Sequence, residues 1–104
     1  LTYSANDFRS KRYGVGISTS KSMKEEWVKS ERNPIFQNAG GLVGTGHHSF
    51  FTDRKGHLWM IFHAHFSDKQ VGPRLSYLVK AKWNKNGQLE FGRKIISPRL
   101  QTKP

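Results

Sequence analysis

Arg74-Leu75-Ser76-Tyr77-Leu78-Val79-Lys80-Ala81-Lys82-Trp83 is the stretch that decides the fold class of this chain. Leu75, Tyr77, Val79, Ala81 and Trp83 recur at every second position, with Arg74, Ser76, Lys80 and Lys82 between them. Successive side chains of a strand point to opposite faces, so this spacing is that of a β-strand with one apolar face. On a helix the same residues would be scattered around the axis. Upstream, Leu58-Trp59-Met60-Ile61-Phe62 is apolar without alternation, as expected of a strand buried on both faces between two layers. Asp53-Arg54-Lys55-Gly56 carries the residues of a turn from a strand at 47–52, and Asn84-Lys85-Asn86-Gly87 leads into a short edge strand at 88–91. Four antiparallel strands therefore follow one another as a meander.

The first third repeats the theme less completely. Leu1–Ala5 reads as the end of a strand, Tyr13–Ser20 as a second and Glu26–Lys29 as a short third. Tyr13, Val15, Ile17 and Thr19 share one face of the second strand. Gly14, Gly16, Ser18 and Ser20 share the other, and a face of small residues lets a neighbouring layer come close. Asn33-Pro34-Ile35-Phe36 and Gly40-Gly41-Leu42-Val43-Gly44 form a connection rich in turn residues and without helical periodicity. The predicted class is all-β. A complete four-stranded meander preceded by most of another is the pattern of a propeller, and also of a small barrel.

With 104 residues the chain supports one modest core, and with no cysteine that core must hold by packing alone. No apolar run approaches the roughly 20 residues that span a bilayer, and the opening Leu1-Thr2-Tyr3-Ser4 lacks the pattern of a signal peptide. The chain opens inside a strand, as a piece of a larger polypeptide would. Lys and Arg number 18 against 7 Asp and Glu, a formal charge of +11. Such a charge attracts phosphate backbones, acidic polysaccharides or anionic membranes. The charges are nevertheless scattered from Arg9 to Lys103 in ones and twos, without the long run of a nucleic-acid tail, and read as solvated surface.

All five histidines fall between His47 and His65. His63 and His65 share a strand face, a spacing that could bring two imidazoles to one zinc ion with His47 or His48 as a third ligand. No nearby carboxylate completes the set, and hydrogen-bonded strand histidines are the favoured reading. Gly44-Thr45-Gly46-His47-His48-Ser49 has glycines that turn the backbone sharply before a strand, a place where a binding residue can sit. It is not a phosphate loop, since no Lys-Ser or Lys-Thr follows.

Tyr3-Ser4-Ala5-Asn6, Tyr13-Gly14-Val15-Gly16-Ile17-Ser18-Thr19-Ser20, Trp27, Asn33-Pro34-Ile35 and Gly44-Thr45-Gly46-His47-His48-Ser49 resemble, in order and spacing, the later blades of family 43 glycoside hydrolases. The resemblance implies a fragment of a five-bladed β-propeller, about one and a half antiparallel four-stranded blades. Residues 1–36 would be a partial blade, 37–46 a connection, 47–91 a complete blade and 92–104 a tail or link to the rest of the parent. It implies inverting hydrolysis of arabinose- or xylose-containing plant polysaccharides. That chemistry needs one carboxylate to activate water and another to protonate the leaving oxygen. In the family pattern these precede the motif that opens this chain, so no catalytic residue is expected here. Asp7, the one acid near a family motif, reads as a surface residue.

What the resemblance carries over is support for the site. His47 matches a histidine that projects into the central cavity, where in some arabinanases it helps hold a metal, often calcium. Arg74 matches an arginine that reaches the bound sugar. His48 is expected on the side opposite His47, because adjacent strand residues alternate. No cofactor is required, although calcium in the intact parent is possible. The expected partners are a carbohydrate and the remainder of the propeller, with no nucleic acid and no membrane. A secreted or periplasmic location follows from the resemblance. The alternative is a noncatalytic basic β module whose charge and exposed aromatics hold an acidic polysaccharide or nucleic acid.

Overall fold

The computed structural model describes residues 1–98. Seven strands occur among them: β1 Thr2–Ala5, β2 Gly14–Thr19, β3 Val28–Lys29, β4 Gly46–Thr52, β5 Leu58–Ala64, β6 Leu75–Trp83 and β7 Leu89–Ile96. They form two antiparallel sheets, β1-β2-β3 and β4-β5-β6-β7. A single 3-10 turn at Ala39–Gly41 is the helical element of residues 1–98. The all-β reading and the four-stranded meander both hold.

The first sheet is short because side chains replace part of its ladder. Tyr3 lies opposite Gly16, and a Cβ on that glycine would come within 2.6 Å of the Tyr3 ring. At this end the space left by the small face is filled by a cross-strand ring. At Gly14 it is the connection that approaches, through the Phe36 carbonyl and Gln37. Asn33 then acts as a strand residue with its side chain. Its Oδ1 accepts from Ile17 N at 2.9 Å, and its Nδ2 donates to Ile17 O at 3.0 Å and to the Tyr3 hydroxyl at 3.1 Å. Ile35 N donates to Val15 O and Val15 N to Phe36 O, so 33–36 occupies the edge of β2 that β3 leaves uncovered. Asn33-Pro34-Ile35-Phe36 is thus a substitute strand more than a loop.

The two sheets share one core. Val15 and Phe36 from the first unit pack with Met60, Phe62, Ala64 and Val79 from the second, all buried. Phe36 is the hinge of this contact, with ring centroids 4.8 Å from both Phe62 and Phe91. Alternation decides which residues enter: Met60, Phe62 and Ala64 point inward from β5. The expectation that 58–62 is buried on both faces is corrected, since Ile61 between them is 37% exposed. Only one sheet packs on β5 in residues 1–98, so only one face is dry. On β6 the central Val79 and Ala81 are buried as expected, while Trp83 at the strand end is 59% exposed.

The edge strand also differs from its sequence reading. It continues from Phe91 through Ile96, so 92–96 belongs to the sheet and not to a tail. Residues 99–104 of the expected tail lie outside the described residues. Val79 pairs with Ile95 but Ala81 with Phe91, so β7 bulges against Lys80. Beyond the bulge Ile95 and Ile96 re-enter the ladder against Val79 and Leu78. The inserted Gly92-Arg93-Lys94 breaks the period-2 pattern, which is why the sequence alone ends the strand early.

The β4–β5 turn is built around one carboxylate. Asp53 Oδ1 accepts the backbone N–H groups of Lys55 and His57, and Oδ2 accepts Trp59 Nε1–H at 2.9 Å. The Trp59 bond first, and then the backbone bonds, lower its pKa from 3.8 to about 2. A carboxylate depressed in the folded state contributes stability that is present above pH about 4 and lost as pH falls towards 2. Asp53→Asn should therefore lower the urea midpoint at pH 7, and the gap to wild type should close between pH 4 and pH 2. An unchanged gap across that range would remove Asp53 from the pH dependence.

Candidate functional site

The loop Gly44-Thr45-Gly46 enters β4 beside two rings, and its glycines are seats for them. A Cβ on Gly46 would lie 2.2 Å from the Tyr13 ring, and one on Gly44, whose φ is +64°, would lie 2.1 Å from the His65 imidazole. His65 is 3% exposed and donates from Nε2 to the Phe8 carbonyl at 2.8 Å. Arg74 closes the arrangement. Its Nη2 donates to Gly44 O at 2.8 Å and Nη1 to Phe8 O at 3.2 Å, with the guanidinium 5.3 Å over the Tyr13 ring. Arg74 and His65 therefore fasten the loop around Phe8 to the Gly44–Gly46 turn. Two of the five donors of Arg74 face these carbonyls.

His47 stands just beyond this frame. Gly46 pairs with His63 but Ser49 pairs with Ile61, so two residues on β4, His47 and His48, stand against the single Phe62 on β5. His47 lies in that bulge with φ +51° and is exposed. Its N–H donates to Ser4 Oγ at 2.9 Å, which ties the bulge to β1. His48 goes the other way, its Nε2 2.8 Å from Thr2 Oγ1 and its ring against Phe50. The two histidines do part, but a bulge rather than plain alternation aims them.

His63 comes within 5.2 Å of His47, ring centre to ring centre. Desolvation first, then the charges of His47 and Arg74, lower the His63 pKa. His48 is lowered too, by desolvation and then by His47. Both imidazoles are thus biased towards the neutral form, able to accept a proton or a hydrogen bond. The zinc geometry does not form. His65 faces Phe8 while His63 faces His47, and among residues 1–98 no three His, Cys, Asp or Glu side chains come together as a metal cluster. Calcium takes about six to eight oxygen ligands, and two imidazoles do not supply them.

The carboxylates lie elsewhere. Asp7 pairs with Arg9 at 2.6 Å on the surface, which lowers its pKa to about 2. Glu90 accepts from Asn84 at 2.9 Å, and Asp53 serves its turn. Among residues 1–98 no carboxylate hydrogen-bonds or pairs with His47, His63 or Arg74. The sequence reading placed Tyr13 on a strand face, Ser4 in a family motif and His65 among candidate zinc ligands, but not in the contacts they make here, because each acts through a partner remote in the chain. The local trace of these two ring contacts is the pair of glycines, Gly46 and Gly44, that make room for them.

Two meandering antiparallel sheets share one core in the manner of propeller blades, and polar side chains gather where the second sheet begins. The chain belongs to the glycosyl hydrolases family 43, whose model matches residues 1–89. It is similar to an endo-1,4-beta-xylanase from Bacteroides thetaiotaomicron VPI-5482, with 39% identity and a TM-score of 0.91 over 98% of this chain and 36% of that one. It is also similar to a thermostable family-43 glycoside hydrolase, with 25% identity and a TM-score of 0.81 over 99% of this chain and 34% of that one. The chain thus spans about a third of the length of these structures. No curated protein matches it.

Proposed function

We propose that this chain supplies part of the pocket wall of a glycoside hydrolase that acts on arabinose- or xylose-containing plant polysaccharides with inversion, and that it holds none of the catalytic carboxylates. The observation that carries this reading is His47, presented to solvent on a bulge that Ser4 fixes from β1 and standing beside His63. A side chain held in a left-handed backbone position at a strand end is positioned for a ligand more than for packing. His47 and His63 offer hydrogen bonds to sugar hydroxyls or to a carboxylate brought by other blades of a five-bladed propeller. Arg74 keeps donors beyond those given to Phe8 and Gly44, and its charge is felt at His63. A calcium ion there would need oxygen ligands from outside this chain. A secreted or periplasmic setting suits such a substrate.

The test is His47→Ala in the longer enzyme that contains this chain. Turnover on xylan or arabinan oligosaccharides should fall about tenfold or more, as for other groups that orient a site, with the melting temperature little changed. The first-formed anomer, followed by NMR, should be the inverted one. Unchanged kcat in a folded variant would remove His47 from the site, and a retained anomer would overturn the mechanism.

A further inference from the structure

The bulge of β4 takes His47 and His48 out of the regular ladder with β5, and β1 supplies the contacts that β5 does not. Thr2 and Ser4 lie at alternate positions of β1 and so share a face. Both hydroxyls reach the bulge, although β1 and β4 belong to different sheets. Ser4 Oγ accepts the His47 N–H at 2.9 Å, and Thr2 Oγ1 lies 2.8 Å from His48 Nε2. The other ring nitrogen, His48 Nδ1, stands 3.5 Å from the same Ser4 Oγ. The half-buried His48 ring thus spans the two hydroxyls, and its plane is set by an edge-on contact with Phe50, centroids 5.5 Å apart.

We infer that His48 is a positioning residue: with Thr2 and Ser4 it forms a clasp between β1 and β4 that fixes the bulge and so aims His47 at His63. The assignment rests on His47 being a pocket residue and extends that reading to a side chain that points the other way. His47 has φ +51°, a state that a residue other than glycine keeps only where its surroundings hold it. The Ser4 bond holds His47 at its own N–H, and the Thr2 contact holds the next residue through its ring. Both bulged residues are then tied to β1, and neither can slide along β5. The 5.2 Å contact of the His47 and His63 rings is what the clasp preserves. Loss of such placement is costly, because a shift of about 1 Å can lower a rate about 10²-fold.

The test uses the longer enzyme that contains this chain. His48→Phe keeps a ring against Phe50 and removes both polar contacts, while Thr2→Val removes one hydroxyl at nearly constant shape and carries the test should His48→Phe not fold. Each should lower kcat about tenfold with KM within about twofold of wild type, since orientation is lost and binding area is not. His48→Gln sets an amide near the place of Nε2 and should restore most of kcat, which a loss of packing alone would not allow. Added to His47→Ala, His48→Phe should lower kcat no further, because its target is gone. Hydrogen exchange at the His47 amide should quicken in both clasp variants. Wild-type kcat in folded His48→Phe and Thr2→Val, with His47→Ala impaired, would overturn the clasp and leave the pocket reading standing. A further loss in the double variant would also overturn it, by giving His48 an effect of its own. If His47→Ala turns over like wild type, the pocket reading falls, and exchange at the His47 amide judges the clasp: faster exchange sustains it and unchanged exchange overturns it.

Discussion

Purified by itself, the 104-residue chain should release no product above background from aryl arabinoside or xyloside substrates, once circular dichroism has shown it folded. Inverting hydrolysis needs an acid and a base about 6.5–9.5 Å apart across the sugar. Each contributes about 10²–10⁴-fold, so removing both puts the rate beyond detection. In this chain Asp7 is committed to Arg9, Asp53 to a turn and Glu90 to Asn84. With its pKa held at about 2, Asp7 is a poor proton donor at neutral pH. His47 and His63 could bind and orient, but their placement supplies no carboxylate pair. Turnover that survives repurification and vanishes in Asp7→Asn would show that the chain carries a catalytic acid of its own.

Gly44→Ala should destabilise the fold by about 2–5 kcal/mol and Gly46→Ala by about 1–3 kcal/mol. Overpacking a filled site costs about 1–3 kcal/mol, and Gly44 adds roughly 1–2 kcal/mol for a side chain at φ +64°. Neither neighbour can step aside easily. The His65 ring is pinned by Phe8 O, and the Tyr13 ring lies between Gly46 and the Arg74 guanidinium. Urea titration reads the loss directly. Combining Gly46→Ala with Tyr13→Ala should cost clearly less than the sum of the two single changes, because the clash disappears with the ring. Strict additivity, or a Gly46→Ala variant as stable as wild type, would mean that the turn can shift away from Tyr13. A backbone move of that size would also displace His47, which is why the experiment bears on function.

These two glycines mark where reading the sequence stops. Gly44-Thr45-Gly46-His47 is legible as a turn before a strand, since glycine tolerates what other residues do not. That the turn is shaped by rings from Tyr13 and His65 depends on contacts across the chain that no local pattern encodes. The same limit explains β7. Phe91 and Ile95 lie four apart, and it is the bulge against Lys80 that sets Ile95 against Val79.

Local chemistry by itself determined the strands. The period-2 face of Leu75–Trp83, the turns at Asp53–Gly56 and Asn84–Gly87, and the absence of helical spacing sufficed for an antiparallel meander, because side-chain alternation is a property of the extended backbone. The ordered motifs from Tyr3 to Ser49 sufficed to name the family. Tertiary structure decided which of two apolar faces of β5 became core, since burial depends on what packs opposite. It decided that Asn33 would stand in for a strand, that Arg74 would spend two donors on Phe8 and Gly44, and that His63 would meet His47 instead of His65. Each of those outcomes is a hydrogen bond or ring contact between residues distant in sequence, and the free energy that selects it exists only once the sheets have come together.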